Sequence, residues 1–251
     1  MIRKEDFFIP KNEVVGITEE DYANASYIVK AIDGVACASY NSYYVIDYYK
    51  HDFLYVSNNP LFLCGCEPEY VCGLGHEFYL KHVPESEHQF LLTVNHVGFD
   101  FFEDIPIAER MDYIISYEFH LQTESNLILV NHKLKPVLLD KNGHVWLAVC
   151  VVSLSSHKDA GHITMRRMGS AEEWEYSLAE CQWKKLSPIK LSATEKSILR
   201  LSAQGYTMEQ IVETIGISIN TVKFHKRRLF RKLQVESITE ALTYAINSKL
   251  I

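Results

Sequence analysis

The chain has 251 residues, is 47% hydrophobic and 23% charged, and carries a formal net charge of −7. Length and composition allow one large domain or two ordinary ones, each with a real apolar core. The start, MIRKEDFFIPK, has no apolar segment ahead of a small-residue cleavage site, and no apolar run is long enough to span a bilayer, so neither a signal peptide nor a membrane partner is expected. Six cysteines without an export signal read as reduced thiols of a cytoplasmic protein rather than as a disulfide scaffold.

Residues 18–33 read as an amphipathic helix with Tyr22, Ala25, Ile28, Val29 and Ile32 on one side. YYVIDYYKHDFLYVSNN (43–59) reads as a hairpin of two aromatic, β-branched strands around Lys50, His51 and Asp52. Short helical turns run through NPLFLCGCEPEYVCG (59–73). PESEHQFLLTVNHVGFDFFEDIP (84–106) has helical start signals and an apolar face. Strands are expected at 112–122, 127–138 and 144–154, the last two joined by the hairpin turn DKNG. The order β-β-α-α-α-β-β-β gives an antiparallel sheet with helices on one face, an α+β fold rather than an alternating parallel one. For 160–180 a further hairpin and a connector both remain open.

In FLYVSNNPLFLCGCEPEYVCG a strand leads into Asn-x-x-(x)-Leu-x-Gly and then a second Gly. With the final hairpin DKNGHVWLAVCVVSL, this resembles a PAS sensor domain over residues 42–158. Residues 1–41 form a helical segment ahead of it, and 159–188 form the connector or extra hairpin. The resemblance implies a module that senses a small molecule or a protein partner. Flavin PAS domains that sense light place a reactive Cys shortly after the Gly matching Gly73. Here His76 lies near that position, so no flavin photoadduct is expected. Haem PAS domains take an axial His from the long helix or nearby, where this chain has His88 and His96. Cys64, Cys66, Cys72 and His76 form C-x-C-x5-C-x3-H, and thiolates with imidazole suit zinc or iron–sulfur chemistry. C-x-C is a poor bite for zinc, however, and free Cys is among the most buried residue types. Packing is therefore the expectation, with a redox thiol as a further alternative. No cofactor is expected.

Charge divides the chain. Residues 186–251 hold ten Lys or Arg against five Asp or Glu, a balance of +5, which leaves −12 on the first 185. Such asymmetry points to two modules with different partners. The join falls at KKLSPIK (184–190), where Ser-Pro breaks local structure. Beyond it, SATE (192–195), TMEQ (207–210) and SITE (237–240) each fit the Ser/Thr-x-x-Glu/Gln capping box and precede apolar-periodic stretches. Gly205 and Gly216 fall where helices should stop, and Ser218 can cap a helix over 219–233. Four short helices result, the middle two joined by a tight turn, which is helix-turn-helix spacing.

On a wheel of about 100° per residue, Val222, Leu229, Leu233 and Phe230 share one side of helix 219–233. Asn220, Lys223, Phe224, Arg227, Arg228 and Arg231 lie opposite. Lys and Arg hold phosphates or read guanine, Asn pairs with adenine, and Phe touches a thymine methyl. The helix has no acidic residue to neutralise its cations. The stretch 191–242, with TVKFH (221–225) as its most specific piece, resembles the LuxR-type helix-turn-helix domain of bacterial transcription regulators. The resemblance implies a recognition helix at 219–233 that contacts double-stranded DNA through Ser218, Asn220, Thr221, Val222, Lys223, Phe224, His225, Arg227, Arg228 and Arg231. It also implies dimer contacts after Ser237, where the sequence offers Ile238, Leu242, Ala245 and Ile246, and RNA polymerase as a partner. Two departures stand out. Gln210-Ile211-Val212 replaces the usual Glu-Ile-Ala, and Gln234 replaces the Gly usual after Lys-Leu. Gln234 must then adopt the turn at some strain.

The resulting expectation is a homodimeric DNA-binding transcription regulator with an N-terminal sensor. A phosphorylated receiver, as in response regulators, is the alternative. It would need an alternating parallel βα pattern that the sequence lacks. No G-x-S-x-G, P-loop, H-E-x-x-H or complete G-x-G-x-x-G is present, so an enzyme is not expected.

Overall fold

The computed structural model describes residues 2–123, 126–170 and 172–251. The chain divides into two compact units, Met1–Leu154 with Asp159–Leu186, and Ser155–Lys158 with Ser187–Ile251.

The first unit is built on an eight-stranded sheet in the order β2-β1-β5-β4-β3-β6-β7-β8, antiparallel at every described pairing. Strands β1 (Ser42–Asp47) and β2 (Asp52–Val56) form the expected hairpin. Strands β3 (Tyr113–Gln122), β4 (Leu127–Leu139) and β5 (Val145–Leu154) follow close to their expected limits. Their pairing puts every second residue on one face. Tyr117 lies opposite His132 and His132 opposite Val152, while Leu134 lies opposite Cys150 and Cys150 opposite Tyr44. Apart from the half-buried Leu134, all of these are buried. Pro136 cannot donate to the ladder and sits where the β4–β5 register slips.

Helix α1 (Glu19–Cys37) begins at a Thr18–Asp21 capping box. It runs a turn past Gly34, a residue that weakens a helix without having to end it. Short helices α2 (Pro60–Leu63), α3 (Pro68–Leu74) and α4 (Glu77–His82) lead to the long helix α5 (Glu85–Glu103). The sequence reading missed α4, which is too short to show a period. Leu91, Val94, Val97 and Phe102 bury one face of α5 in the same core as the inward residues of the sheet.

Two features of this unit go beyond the sequence reading. Residues 161–185 are neither a lone hairpin nor a connector. They form β6 (Gly161–Arg167), β7 (Glu173–Ser177) and β8 (Gln182–Lys185), which extend the sheet beyond β3. Trp174 and Trp183 lie 5.3 and 5.0 Å from the Phe101 ring of α5. The second feature is an ordered N-terminal strap. Asn12 donates to Val145 O at 2.9 Å and accepts from Val145 N at 2.7 Å, Asn95 Nδ2 donates to Phe7 O, and Lys11 pairs with Asp100 and Glu103.

The second unit holds the four expected helices, α6 (Ala193–Ala203), α7 (Met208–Ile215), α8 (Ile219–Leu233) and α9 (Ile238–Asn247). Ser192 and Thr207 each close a capping box with the Glu195 and Gln210 three residues on, and Ser237 accepts from Glu240 N. Helix α6 ends in a Schellman motif. Gly205 N donates to Ser202 O and Tyr206 N to Leu201 O, both at 3.1 Å, with Gly205 at φ 82°. Helix α8 ends with Gln234 at φ 54° and Val235 N on Phe230 O, so a glutamine occupies the left-handed position where glycine is at ease. Among the described residues no helix is long and apolar enough to cross a membrane.

Candidate nucleic-acid interface and a cavity beside α5

Helix α7 stops at Gly216, whose φ of 73° turns the chain and whose N–H donates to Val212 O. Two residues later Ser218 restarts it, its Oγ accepting from Thr221 N at 3.1 Å. Ile198 of α6, Ile211 of α7 and Val222 of α8 are buried together, while Leu199, Leu229, Leu233, Ala241 and Ala245 join α6, α8 and α9. One side of α8 is thus consumed by packing.

The opposite side is open. Ser218, Asn220, Lys223, Phe224, Arg227, Arg228 and Arg231 are all exposed, with Phe224 at 58%. An aromatic ring left in water on a helix otherwise rich in cations suits a contact surface. Among the described residues Lys223, Arg227 and Arg231 form no ion pair. Arg228 leans back instead, with Nε 3.7 Å from Glu195 Oε1. The rest of the expected contact set is less open. Val222 is fully buried in the helical core, so its side chain is spent on packing. His225 is half-buried, with Nδ1 shielded and unpartnered, and Thr221 is half-buried with its hydroxyl 2.8 Å from Ser218 Oγ. The expected dimer strip shrinks for the same reason. Ala245 is buried in its own core, Ile238 and Leu242 pack against that core, and only Ile246 stands 61% exposed.

A residue that the sequence showed only as a helix cap ties the interface together. Glu195 is buried, accepts from Ser192 N at 2.7 Å, and pairs with Lys232 Nζ of α8 at 2.7 Å. Burial pushes its carboxyl up. The Lys232 ammonium and the Ser192 donors outweigh that and hold it below the ordinary carboxylate range.

In the first unit, a cavity of about 40 Å³ opens between α5 and the inner face of the sheet. Val94, Phe99 and Phe102 wall it from α5, and Ile115, Leu134 and Met165 from the strands, with Tyr48, Asn95 and Tyr117 as its side-chain polar groups. No sequence signal marks this site, because its residues are scattered over 118 positions of chain.

The other candidate ligands part company. Cys64 is buried, its thiol pushed up to about 12 by burial. Cys66 Sγ lies 3.9 Å from His82 Nε2, Cys72 Sγ donates to Phe53 O, and His76 sits among the rings of Phe7, Phe8, Phe53 and Tyr79. Among the described residues no three His, Cys, Asp or Glu side chains converge on a metal position. His88 Nε2 is spent on Val83 O at 2.9 Å, and His96 faces Asp100 at 3.3 Å.

The cap, turn and free cationic face of α7 and α8 define a helix-turn-helix unit of the kind that docks on duplex DNA. Residues 190–245 match the family model of bacterial regulatory proteins of the luxR family, and the C-terminal unit is a LuxR-type DNA-binding domain. Curated relatives include the oxygen regulatory protein NreC of Staphylococcus carnosus, 39% identical over 61 residues, and that of Staphylococcus aureus, 40% identical over 65 residues. These matches cover 24% and 26% of this chain and 28% and 30% of the relatives. Among solved structures, a VqmA dimer of Vibrio cholerae without its target DNA covers 88% of this chain and 87% of its own at 17% identity and a TM-score of 0.34. A phage VqmA–DPO complex covers 91% of this chain and 90% of its own at 14% identity and a TM-score of 0.30.

Proposed function

We propose that this protein is a sequence-specific DNA-binding transcription regulator whose N-terminal unit is a PAS-like sensor. The observation that carries the DNA-binding half is the open arc of α8, in which Lys223, Arg227 and Arg231 are exposed and form no ion pair among the described residues, beside an exposed amide and aromatic ring. The sensor half rests on the antiparallel sheet, the helices over its inner face and the cavity between them. Two-fold operators call for a homodimer, with Ile246 as one contact. A cytoplasmic location and contact with RNA polymerase follow from the resemblance of the C-terminal domain to its family. The antiparallel sheet favours a bound ligand or partner as the signal over phosphorylation of a receiver, whose sheet would be parallel.

The test is Lys223→Ala with Arg227→Ala, titrated by fluorescence anisotropy against a duplex selected from a random pool. Each lost phosphate contact should reduce the slope of log K against log salt by about 0.9. Two should cost roughly 30-fold in affinity at about 0.15 M salt from counterion release alone. Circular dichroism should be unchanged, because both side chains are exposed. An unchanged salt slope would remove α8 from the interface.

A further inference from the structure

We infer that Glu195 is a positioning residue for DNA binding, holding the Nε edge of the Arg228 guanidinium so that its two terminal nitrogens meet a backbone phosphate. The inference rests on the DNA-binding reading of α8 and adds to it a residue outside the exposed arc. Glu195 is fully buried on α6, and its two oxygens are used unequally. Oε2 accepts from Ser192 N and from Lys232 Nζ, both at 2.7 Å. Oε1 is also shielded from water, and among the described residues no hydrogen bond reaches it. A buried carboxylate oxygen without a donor is costly. The cation beside it is Arg228, with Nε at 3.7 Å.

An arginine can serve both partners at once. Its guanidinium is planar and always charged, and its N–H groups lie along separate edges. Nε and one terminal nitrogen form the first edge. The two terminal nitrogens form the second, which matches two phosphate oxygens. The Arg228 side chain is 56% exposed although its Nε lies beside a buried oxygen, so the far edge is left to solvent. Among the described residues Lys223, Arg227 and Arg231 have no such anchor. A long cation held in one geometry before DNA arrives has less rotamer freedom to lose on contact. Bare charge bookkeeping has the opposite sign. A carboxylate near the duplex repels phosphate, so neutralising it should tighten binding. The two accounts can therefore be told apart by direction.

Fluorescence anisotropy of the full-length protein on a duplex selected from a random pool reads that direction, at a temperature where circular dichroism shows every variant folded. Arg228→Ala should lower the slope of log K against log salt by about 0.9 and cost roughly fivefold in affinity at about 0.15 M salt. Arg228→Lys should keep the slope yet bind about threefold more weakly, because an ammonium has no second edge. Glu195→Gln offers one acceptor, which Ser192 N–H takes, and turns a donor towards Arg228. It should bind DNA about threefold more weakly when Arg228 is present, and no more weakly than its parent when Arg228→Ala is already in place. A Glu195→Gln loss of equal size in both backgrounds would make Glu195 merely structural, and a gain in both would leave only charge repulsion; either overturns the inference. So does an Arg228→Lys variant that binds like the parent, or an unchanged slope in Arg228→Ala. In that last case Lys223→Ala with Arg227→Ala separates the two claims. A lowered slope there keeps α8 on the DNA and rejects only the role of Glu195 and Arg228, whereas an unchanged slope there rejects the DNA-binding reading of α8 as well.

Discussion

Glu195 offers a sharp test of what holds the DNA-binding unit together. Its carboxylate is buried, caps α6 through Ser192 N, and meets Lys232 of α8. Removing one member of a buried ion pair costs about 3–5 kcal/mol, and losing the cap adds about 1. A unit of this size is expected to have roughly 3–10 kcal/mol in total, so Glu195→Ala should leave it largely unfolded. Glu195→Gln is the finer probe. It keeps an acceptor for Ser192 N–H but makes the Lys232 contact neutral, a loss of about 1–2 kcal/mol. Hydrogen exchange of the α6 and α8 amides in the full chain should then run roughly 5- to 30-fold faster near neutral pH. Fluorescence of the three tryptophans, at positions 146, 174 and 183 in the other unit, should not change. The pH sign follows from the lowered carboxyl. Its stabilisation is present above the unfolded value of about 4.3 and is lost as pH falls through the folded value. Parent and Gln variant should therefore converge on acidification. Exchange within twofold of the parent at neutral pH, or a gap that persists in acid, would refute this account.

Two further substitutions probe the same unit. Gln234→Gly should stabilise it by about 0.5–1 kcal/mol, because glycine relieves the left-handed turn at φ 54° while adding chain entropy to the unfolded state, and thermal unfolding should shift upward by a few degrees. Val222→Ala should lower stability by about 1–3 kcal/mol and leave the salt slope of DNA binding unchanged at temperatures where the unit is folded, since Val222 is fully buried; a changed slope would return it to the interface.

What the sequence made legible was local. Ser192, Thr207, Ser218 and Ser237 announce their helices because capping is settled within four residues. The face of α8 could be drawn from a wheel because its apolar side is regular. The same wheel places Val222 at the centre of the packing side, where it is buried, whereas the family pattern counts it among the contacts. Ala245 misled differently. Helical spacing places it on a strip with Ile238, Leu242 and Ile246, but which side of α9 meets α6 and α8 depends on tertiary packing. The cavity and the Glu195–Lys232 pair join residues far apart in the chain, and no period or motif encodes such meetings. For β6 to β8 the sequence leaves a hairpin and a connector both open, because β7 and β8 are short and have no buried residue to mark an alternation.

Those three strands bear on how the sheet guards its edge. Without them β3 would be an edge, offering ten residues of unpaired backbone beside alternating buried side chains, a ready template for aggregation. With them the exposed edge moves to β8, four residues that include Lys184 and Lys185, a blunt and charged border. An excised first unit that stopped at residue 158 would bare the dangerous strand. One carried through Leu186 would keep it covered.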